Sequence, residues 1–593
     1  MAKEDRAPIS ERVANMMERS SHLWASSLDR SVDSAGKRLK PDPLNTAPAM
    51  SKIAQDYWDH PTKMFEAATA YWQSQAELWQ TMTRRAMGED VAPMIEPGRG
   101  DKRFKHEDWS QIPFFDYLKQ SYLLTGKWLS DQMSSAEGLT PQEKKKINLL
   151  TRNFIEAFSP SNFPGTNPEV IRTTVEEEGE NLTRGLEHLL RDLDRGHGNL
   201  LIQQTDMDAF QVGENMAVSP GKVIFQNHLI QLVQYAPTTE KVHKTPLLIV
   251  PPWINKFYIL DLNEQKSMIA WLVAQGHSVF VVSWVNPSDE HRDETWESYM
   301  RAGVLTAIDK VLEETGERET NIVGYCIGAT MVGTTLAWMA AEGDKRVKSA
   351  TFFTGQLEFS DAGELQAFVD EEVIDTINQA AEDHGYLAAE NMFGAFNSLR
   401  SNDLIWSFVV NNYLLGKENF PFDLLYWNSD STCMPGRVHT YYLDTFYNQN
   451  AFAKGVMEMG GHVLDPKAIT LPVYHVAAIE DHIAPPDSAY RMAKLIGSKS
   501  QTFVLGGSGH IAGVINPPAL GKYQYWTKAG VKEADLATWR EGAEETPGSW
   551  WPHWDNWLAK QSRSKVAARV PGAKLGVIED APGSFVKDRS YAR

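Results

Sequence analysis

Two glycines bracket a cysteine in Gly324-Tyr-Cys-Ile-Gly328, and this stretch constrains the fold more than any other. Ile322 and Val323 read as the end of a buried strand, and Ile327 onward, with Ala329, Met331, Leu336 and Met339, reads as a helix. A side chain displayed at so sharp a strand-to-helix turn sits on strained backbone. Its neighbours two residues either way must be small, so that strand and helix can pass closely. Cys326 would then project from the top of a sheet at the positive end of a helix, a setting that favours a thiolate. Taken alone, the pentapeptide is equally compatible with a buried structural cysteine, so the rest of the chain decides.

At 593 residues, length argues for more than one domain. Residues 1 to about 50 are polar, hold several Ser and Pro, and read as a loosely ordered lead-in. Helical, aromatic patterns follow over 51–87, 114–133 and 140–158, and define an all-helical N-terminal domain ending near residue 200. Their aromatic stripes are expected to be core. After residue 200 the period changes. Residues 222–235 read as two short strands, and apolar runs at 246–250 and 278–284, the strand ending at Ile322 and Val323, and the run at 350–354 alternate with helices. Such alternation predicts a mainly parallel sheet covered on both faces. From about 357 to 470 it stops, and a helical, aromatic insertion is expected to form a cap. Strand runs resume at 471–478 and 501–505.

A cysteine nucleophile needs a base, and the base needs an orienting acid. In an α/β-hydrolase sheet they follow in the order nucleophile, acid, histidine. Asp481 lies just past the strand at 471–478, and His510 sits in the glycine-rich loop after the next one. Each stands where that order requires it, so Cys326, Asp481 and His510 form the candidate triad. Glu480 competes with Asp481, which is followed by turn residues and is preferred. His475 and His482 lack partners at zinc-ligand spacing, so no metal site is expected. The Gly-rich loop before His510 is not followed by the Lys-Ser/Thr pair of a nucleotide loop. The oxyanion hole should use the N–H of Ile327 and one from the loop 251–256. There Pro251 and Pro252 have no N–H, leaving Trp253 or Ile254, of which Ile254 is chosen.

Cysteine in place of serine carries information. Exchange of one thioester for another is nearly thermoneutral, so the acyl group stays activated for a further transfer. Such a site is suited to passing an acyl group on.

Totals exclude other classes. A net charge of −19 argues against a nucleic-acid partner. Two cysteines rule out a disulfide framework and point to a reducing compartment. With no apolar run of about 18 residues and no signal-peptide core, a cytoplasmic protein without a transmembrane segment is expected. Nineteen tryptophans, several in 549–557, suggest surfaces that meet something apolar.

Together, Pro251-Pro-Trp-Ile-Asn-Lys-Phe-Tyr-Ile-Leu-Asp-Leu262, Gly324-Tyr-Cys-Ile-Gly328, Asn402-Asp-Leu-Ile-Trp406, Phe422-Asp-Leu-Leu-Tyr-Trp-Asn-Ser-Asp-Ser-Thr432, Glu480-Asp-His482 and Gly507-Ser-Gly-His-Ile-Ala-Gly513 resemble polyhydroxyalkanoate synthases, as does Asn162-Phe-Pro-Gly-Thr-Asn-Pro168. The likeness covers most of residues 100–560, and the length fits class I. Ala329 departs from a common glycine, a small change within the helix. The resemblance implies an acyltransferase that needs no cofactor and polymerises 3-hydroxyacyl groups, mainly 3-hydroxybutyryl, from coenzyme A (CoA) thioesters. It further implies a homodimer with the cap as a contact, and a growing polyester whose granule surface the Trp-rich N-terminal domain and tail would meet. Arg400 is the candidate for the CoA phosphates, since local positive charge must offset an acidic chain. His482 is a second candidate substrate contact. The rival readings are a thioesterase or polyester depolymerase on the same sheet, and a non-catalytic granule coat.

Overall fold

The computed structural model describes residues 45–589, apart from 99 and 563. The lead-in expected over 1–50 lies outside the described residues as far as residue 44. Two compact units are present.

The first unit holds the chain up to Asp206 together with residues 394–421. Its main helices are α1 (Ala47–Asp59), α2 (Pro61–Ala86), α3 (Pro113–Ser134), α4 (Pro141–Ala157), α5 (Pro168–Glu176) and α6 (Glu180–Arg195). The pattern expected as one helix over 51–87 is broken at His60, because Pro61 has no N–H to continue the ladder. Thr140 and Glu143 form a reciprocal capping box on α4. Leu78 and Met82 of α2 are buried, and the Trp128 indole of α3 donates to the Ala67 carbonyl (3.0 Å). The other face of α1 and α2 contradicts the expectation of core. Trp58, Phe65, Trp72 and Trp79, seven residues apart, are 82%, 74%, 68% and 64% exposed. Within α2 seven residues is two helical turns, so Phe65, Trp72 and Trp79 share one face, at whose edge Trp79 meets Tyr117 of α3 (5.9 Å). Residues 394–421, inside the range expected for the cap, instead belong to this unit. Asn181 donates to Leu414 O (2.8 Å) and Tyr413 to Asp192 (2.6 Å). Backbone approaches so closely there that a Cβ at Gly185 would lie 1.8 Å from Tyr413 O.

The second unit is an α/β-hydrolase fold. The strands of its central sheet are β1 (Gly221–Gln226), β2 (Ile230–Tyr235), β3 (Leu247–Val250), β4 (Val279–Trp284), β5 (Thr320–Tyr325), β6 (Val347–Phe353), β7 (Val473–Ala478), β8 (Gln501–Gly506), β9 (Gln524–Ala529), β10 (Glu544–Pro547) and β11 (Glu579–Asp580). They order as β10-β9-β8-β7-β6-β5-β3-β4-β2-β1-β11. From β4 to β8 neighbours run parallel, and the strands outside that block pair antiparallel. The parallel strands are apolar runs because both their faces are covered. The chain leaves β3 for β4 on one side and returns to β5 on the other, so β3 and β5 flank a topological switch. In open α/β sheets such a switch point is where ligands bind, beyond the carboxyl ends of the strands.

The C-terminal tryptophans also depart from expectation. Trp550, Trp551 and Trp554, expected at a granule surface, are wholly buried against the sheet. Burial is affordable because each indole N–H has an acceptor: Gly513 O (2.7 Å), Val514 O (2.9 Å) and Thr351 Oγ1 (3.0 Å).

Candidate functional site

β5 runs straight into α7 (Ile327–Ala341), and Cys326 stands between them with φ 55° and ψ −124°. That conformation is sparsely populated for a side-chain-bearing residue and persists only where its surroundings impose it. The Cys326 N–H donates to Phe353 O (3.0 Å), and its carbonyl accepts from Ala329 N (2.9 Å). A Cβ at Gly324 would sit 2.5 Å from Ala329 Cα, and one at Gly328 would sit 2.4 Å from Val250 O. Both glycines are therefore required by backbone contact. Cys326 is partly exposed, at the N-terminus of a buried helix whose dipole favours negative charge.

Asp481 and His510 follow the carboxyl ends of β7 and β8. His510 Nδ1 is 2.7 Å from Asp481 Oδ2, while Asp481 Oδ1 accepts from the N–H groups of Ile483 and Ala484 (2.9 Å each). Glu480 is not the residue that meets the ring. The loop carrying His510 is braced from below by Trp550 and Trp551 through the carbonyls of Gly513 and Val514. Burial lowers the pKa of His510, but the charges of Asp481 and Cys326, with hydrogen bonds to both, raise it from 6.5 to about 10. Cys326, Asp481 and His510 thus act on one another.

A folded pKa above the unfolded one makes the His510 imidazolium stabilising. That contribution is complete below about pH 6.5 and is lost as pH rises through about 10. A titration of labelled histidine followed by NMR should find His510 protonated well above neutrality, and its midpoint should fall toward the ordinary value in Asp481→Asn. A midpoint indifferent to that substitution would contradict the coupling.

Ile327 is the first residue of α7, where no intrahelical acceptor exists for its N–H. Ile254 lies in the loop after β3, and its N–H finds no acceptor among the described residues. His482 follows Asp481 directly and is half-buried. Arg400 is exposed and belongs to the helical unit, whereas the triad belongs to the other. His475 is buried with Nε2 on Gln501 Oε1 (2.9 Å). Among the described residues no three His, Cys, Asp or Glu side chains form a group able to hold a metal ion.

Sequence reasoning missed three tyrosines. Tyr325, the second residue of the pentapeptide, stacks on the His510 ring at 5.9 Å. Tyr442 ends the short helix Gly436–Tyr442, and Tyr447 follows in the turns Leu443–Asn448. Burial raises the pKa of both, and the charge of Cys326 raises each further, so both stay neutral hydroxyls beside the thiol. The aromatic run 441–447 was their only signal.

Residues 100–272 match the family described as poly-beta-hydroxybutyrate polymerase (PhaC) N-terminus, and residues 245–517 match the alpha/beta hydrolase fold. The poly(3-hydroxyalkanoate) polymerase of Methylorubrum extorquens is 49% identical over 540 residues, which cover 91% of this chain and 89% of that one. The PhaC polymerase subunit of Rhizobium meliloti is 46% identical, covering 91% and 88%. That of Cupriavidus necator is 39% identical, covering 89% of each. With relatives this similar along nearly their whole length, the chain belongs to the poly(3-hydroxyalkanoate) polymerase family and is an acyltransferase.

Proposed function

We propose that this enzyme polymerises (R)-3-hydroxyacyl groups, 3-hydroxybutyryl foremost, taken from CoA thioesters, and releases CoA through a thioester on Cys326. The cysteine elbow with the coupled His510–Asp481 pair, in a chain of this family, is the observation that carries the reading. The Cys326 proton already rests on Nε2 of the protonated His510, whose Nδ1 is engaged by Asp481, and the sulfur attacks the thioester carbonyl. The N–H groups of Ile327 and Ile254 hold the oxyanion. The carbon–sulfur bond to CoA breaks, and the CoA thiolate takes the proton back from His510. Acylation removes the Cys326 charge that helped raise the His510 pKa, so the imidazolium yields its proton more easily at this step. A 3-hydroxyl of a second acyl unit then gives its proton to His510 and attacks the acyl-enzyme. An ester forms, and the Cys326 thiolate is freed.

His510 is the base for that hydroxyl. Both oxygens of Asp481 are already occupied and its side chain is fully buried, so no substrate proton reaches it. His482, beside Asp481, and Arg400 stand as the substrate contacts, Arg400 for the CoA phosphates. We assign the enzyme to the cytoplasm and to the polymer granule, as a homodimer that needs no cofactor. No helix among the described residues is long and apolar enough to cross a membrane. The exposed rings of Trp58 on α1 and of Phe65, Trp72 and Trp79 on α2 support contact with an apolar polymer.

Purified enzyme given 3-hydroxybutyryl-CoA should release CoA thiol and turn turbid with polymer. Free 3-hydroxybutyrate without polymer would mean a hydrolase and would overturn the reading.

A further inference from the structure

The loop after β3 is fastened by one distant segment of the same unit, residues 427–432. The Trp427 indole donates to Lys256 O (2.7 Å), Asn255 bridges to Ser431, and the Thr432 N–H donates to Ile254 O (3.2 Å). Below them Lys256 Nζ meets Asp430 Oδ1 (2.7 Å) and Tyr258 donates to Asp430 Oδ2 (2.9 Å), all buried. The Thr432 hydroxyl, itself buried, lies within reach of two carbonyl oxygens, those of Trp253 and Ile254, the latter at 2.9 Å.

The Trp253 contact matters most for chemistry. A peptide group is planar, and in the trans form its N–H points opposite to its C=O. Fixing the Trp253 carbonyl therefore fixes the direction of the Ile254 N–H. Pro251 and Pro252, just before, have no N–H and cannot substitute for it. The Ile254 N–H, meanwhile, has no acceptor among the described residues. One side of this peptide is clamped and the other is left open.

We propose that Thr432 is a positioning residue of the polymerase site, holding the Trp253–Ile254 peptide so that the Ile254 N–H meets the developing oxyanion. This rests on the reading of Cys326 as the acylated nucleophile. Thr432 touches no reacting atom, and its effect passes through the peptide it holds. An oxyanion donor is useful only if preorganised, because a donor that must reorient spends part of its interaction energy doing so. Thr432→Val keeps the shape of the side chain and removes the hydroxyl donor. Thr432→Ser keeps the donor.

Two reactions of the same sulfur separate positioning from general damage. Acylation by 3-hydroxybutyryl-CoA builds an oxyanion, whereas alkylation of Cys326 by iodoacetamide, a displacement at a saturated carbon, builds none. Thr432→Val should slow CoA release about 10- to 100-fold, by the scale of a lost or misdirected oxyanion donor. KM and the alkylation rate should stay within about twofold, since a misaimed donor weakens the transition state and not ground-state binding. Thr432→Ser should restore CoA release. Equal slowing of acylation and alkylation in Thr432→Val, unimpaired CoA release, or a Thr432→Ser variant as slow as Thr432→Val would each overturn the inference. Should Cys326→Ala keep releasing CoA, the reading of the site itself would fail. An inactive Cys326→Ala beside an unimpaired Thr432→Val would sink this inference alone.

Discussion

Cys326→Ala is expected to end both CoA release and polymer formation, with a loss on the order of 10⁵–10⁶ in rate, the scale seen when a nucleophile that works as part of a unit is removed. Residual catalysis by an oxyanion hole alone can help water attack a thioester, but it cannot store an acyl group for transfer to a hydroxyl. The fold should survive. Alanine occupies φ 55° with no more strain than cysteine, and the lost sulfur is partly exposed, so little packing goes with it. Thermal unfolding of the variant should match that of the parent. Cys326→Ser separates the two half-reactions further. A serine ester is a lower-energy acyl holder than a thioester, so onward transfer should stall, leaving at most about one CoA released per chain and no turbidity. Polymer from Cys326→Ala would remove the covalent route, whatever the geometry around His510.

The elbow, the sheet and the order of acid and histidine were legible because each is written locally. Apolar runs mark strands buried on both faces, and a residue just past such a run must emerge at one sheet edge. Gly324 and Gly328 announce close backbone contact whichever atoms they meet. What failed to show is whatever depends on a remote partner. Residues 394–421 look like any helical insertion, and only Tyr413 meeting Asp192 and Asn181 meeting Leu414 O tie them to the helical unit. Strands β9 and β10 carry Lys528, Glu544 and Glu545, the charges of half-exposed edges, and so lack an apolar run. The tryptophans misled in both directions. Those at 550, 551 and 554 are core because an acceptor happens to await each indole N–H. Those at 72 and 79 are largely exposed although α3 packs along α2, and the one at 58 is exposed on α1. Aromatic content signals neither arrangement by itself.

Gly328→Ala makes the second large prediction, and it sets two principles against each other. Position 328 is the second residue of α7, where alanine would ordinarily stabilise a helix by about 1 kcal/mol over glycine. Here the added Cβ would lie 2.4 Å from Val250 O and 2.8 Å from Pro251 O. Both are main-chain atoms at the end of β3, so no side chain can swing aside to make room. Either the start of α7 or the loop after β3 must move, and overpacking of this kind costs about 1–3 kcal/mol. Sterics should win, and the variant should unfold at lower temperature than the parent. Activity should suffer more than stability. Displacing α7 moves Cys326 and the Ile327 N–H, and displacing the loop moves Ile254. A misplacement near 1 Å at a reacting centre costs on the order of 100-fold in rate. Gly394 supplies the contrast, because it too lies in a helix, Ala389–Leu399, yet a Cβ there meets nothing within 4 Å. Gly394→Ala should follow propensity, gaining up to about 1 kcal/mol with CoA release unchanged. If Gly328→Ala behaved like Gly394→Ala, the close passage of α7 over the end of β3 would be wrong, and with it the elbow that aims Cys326.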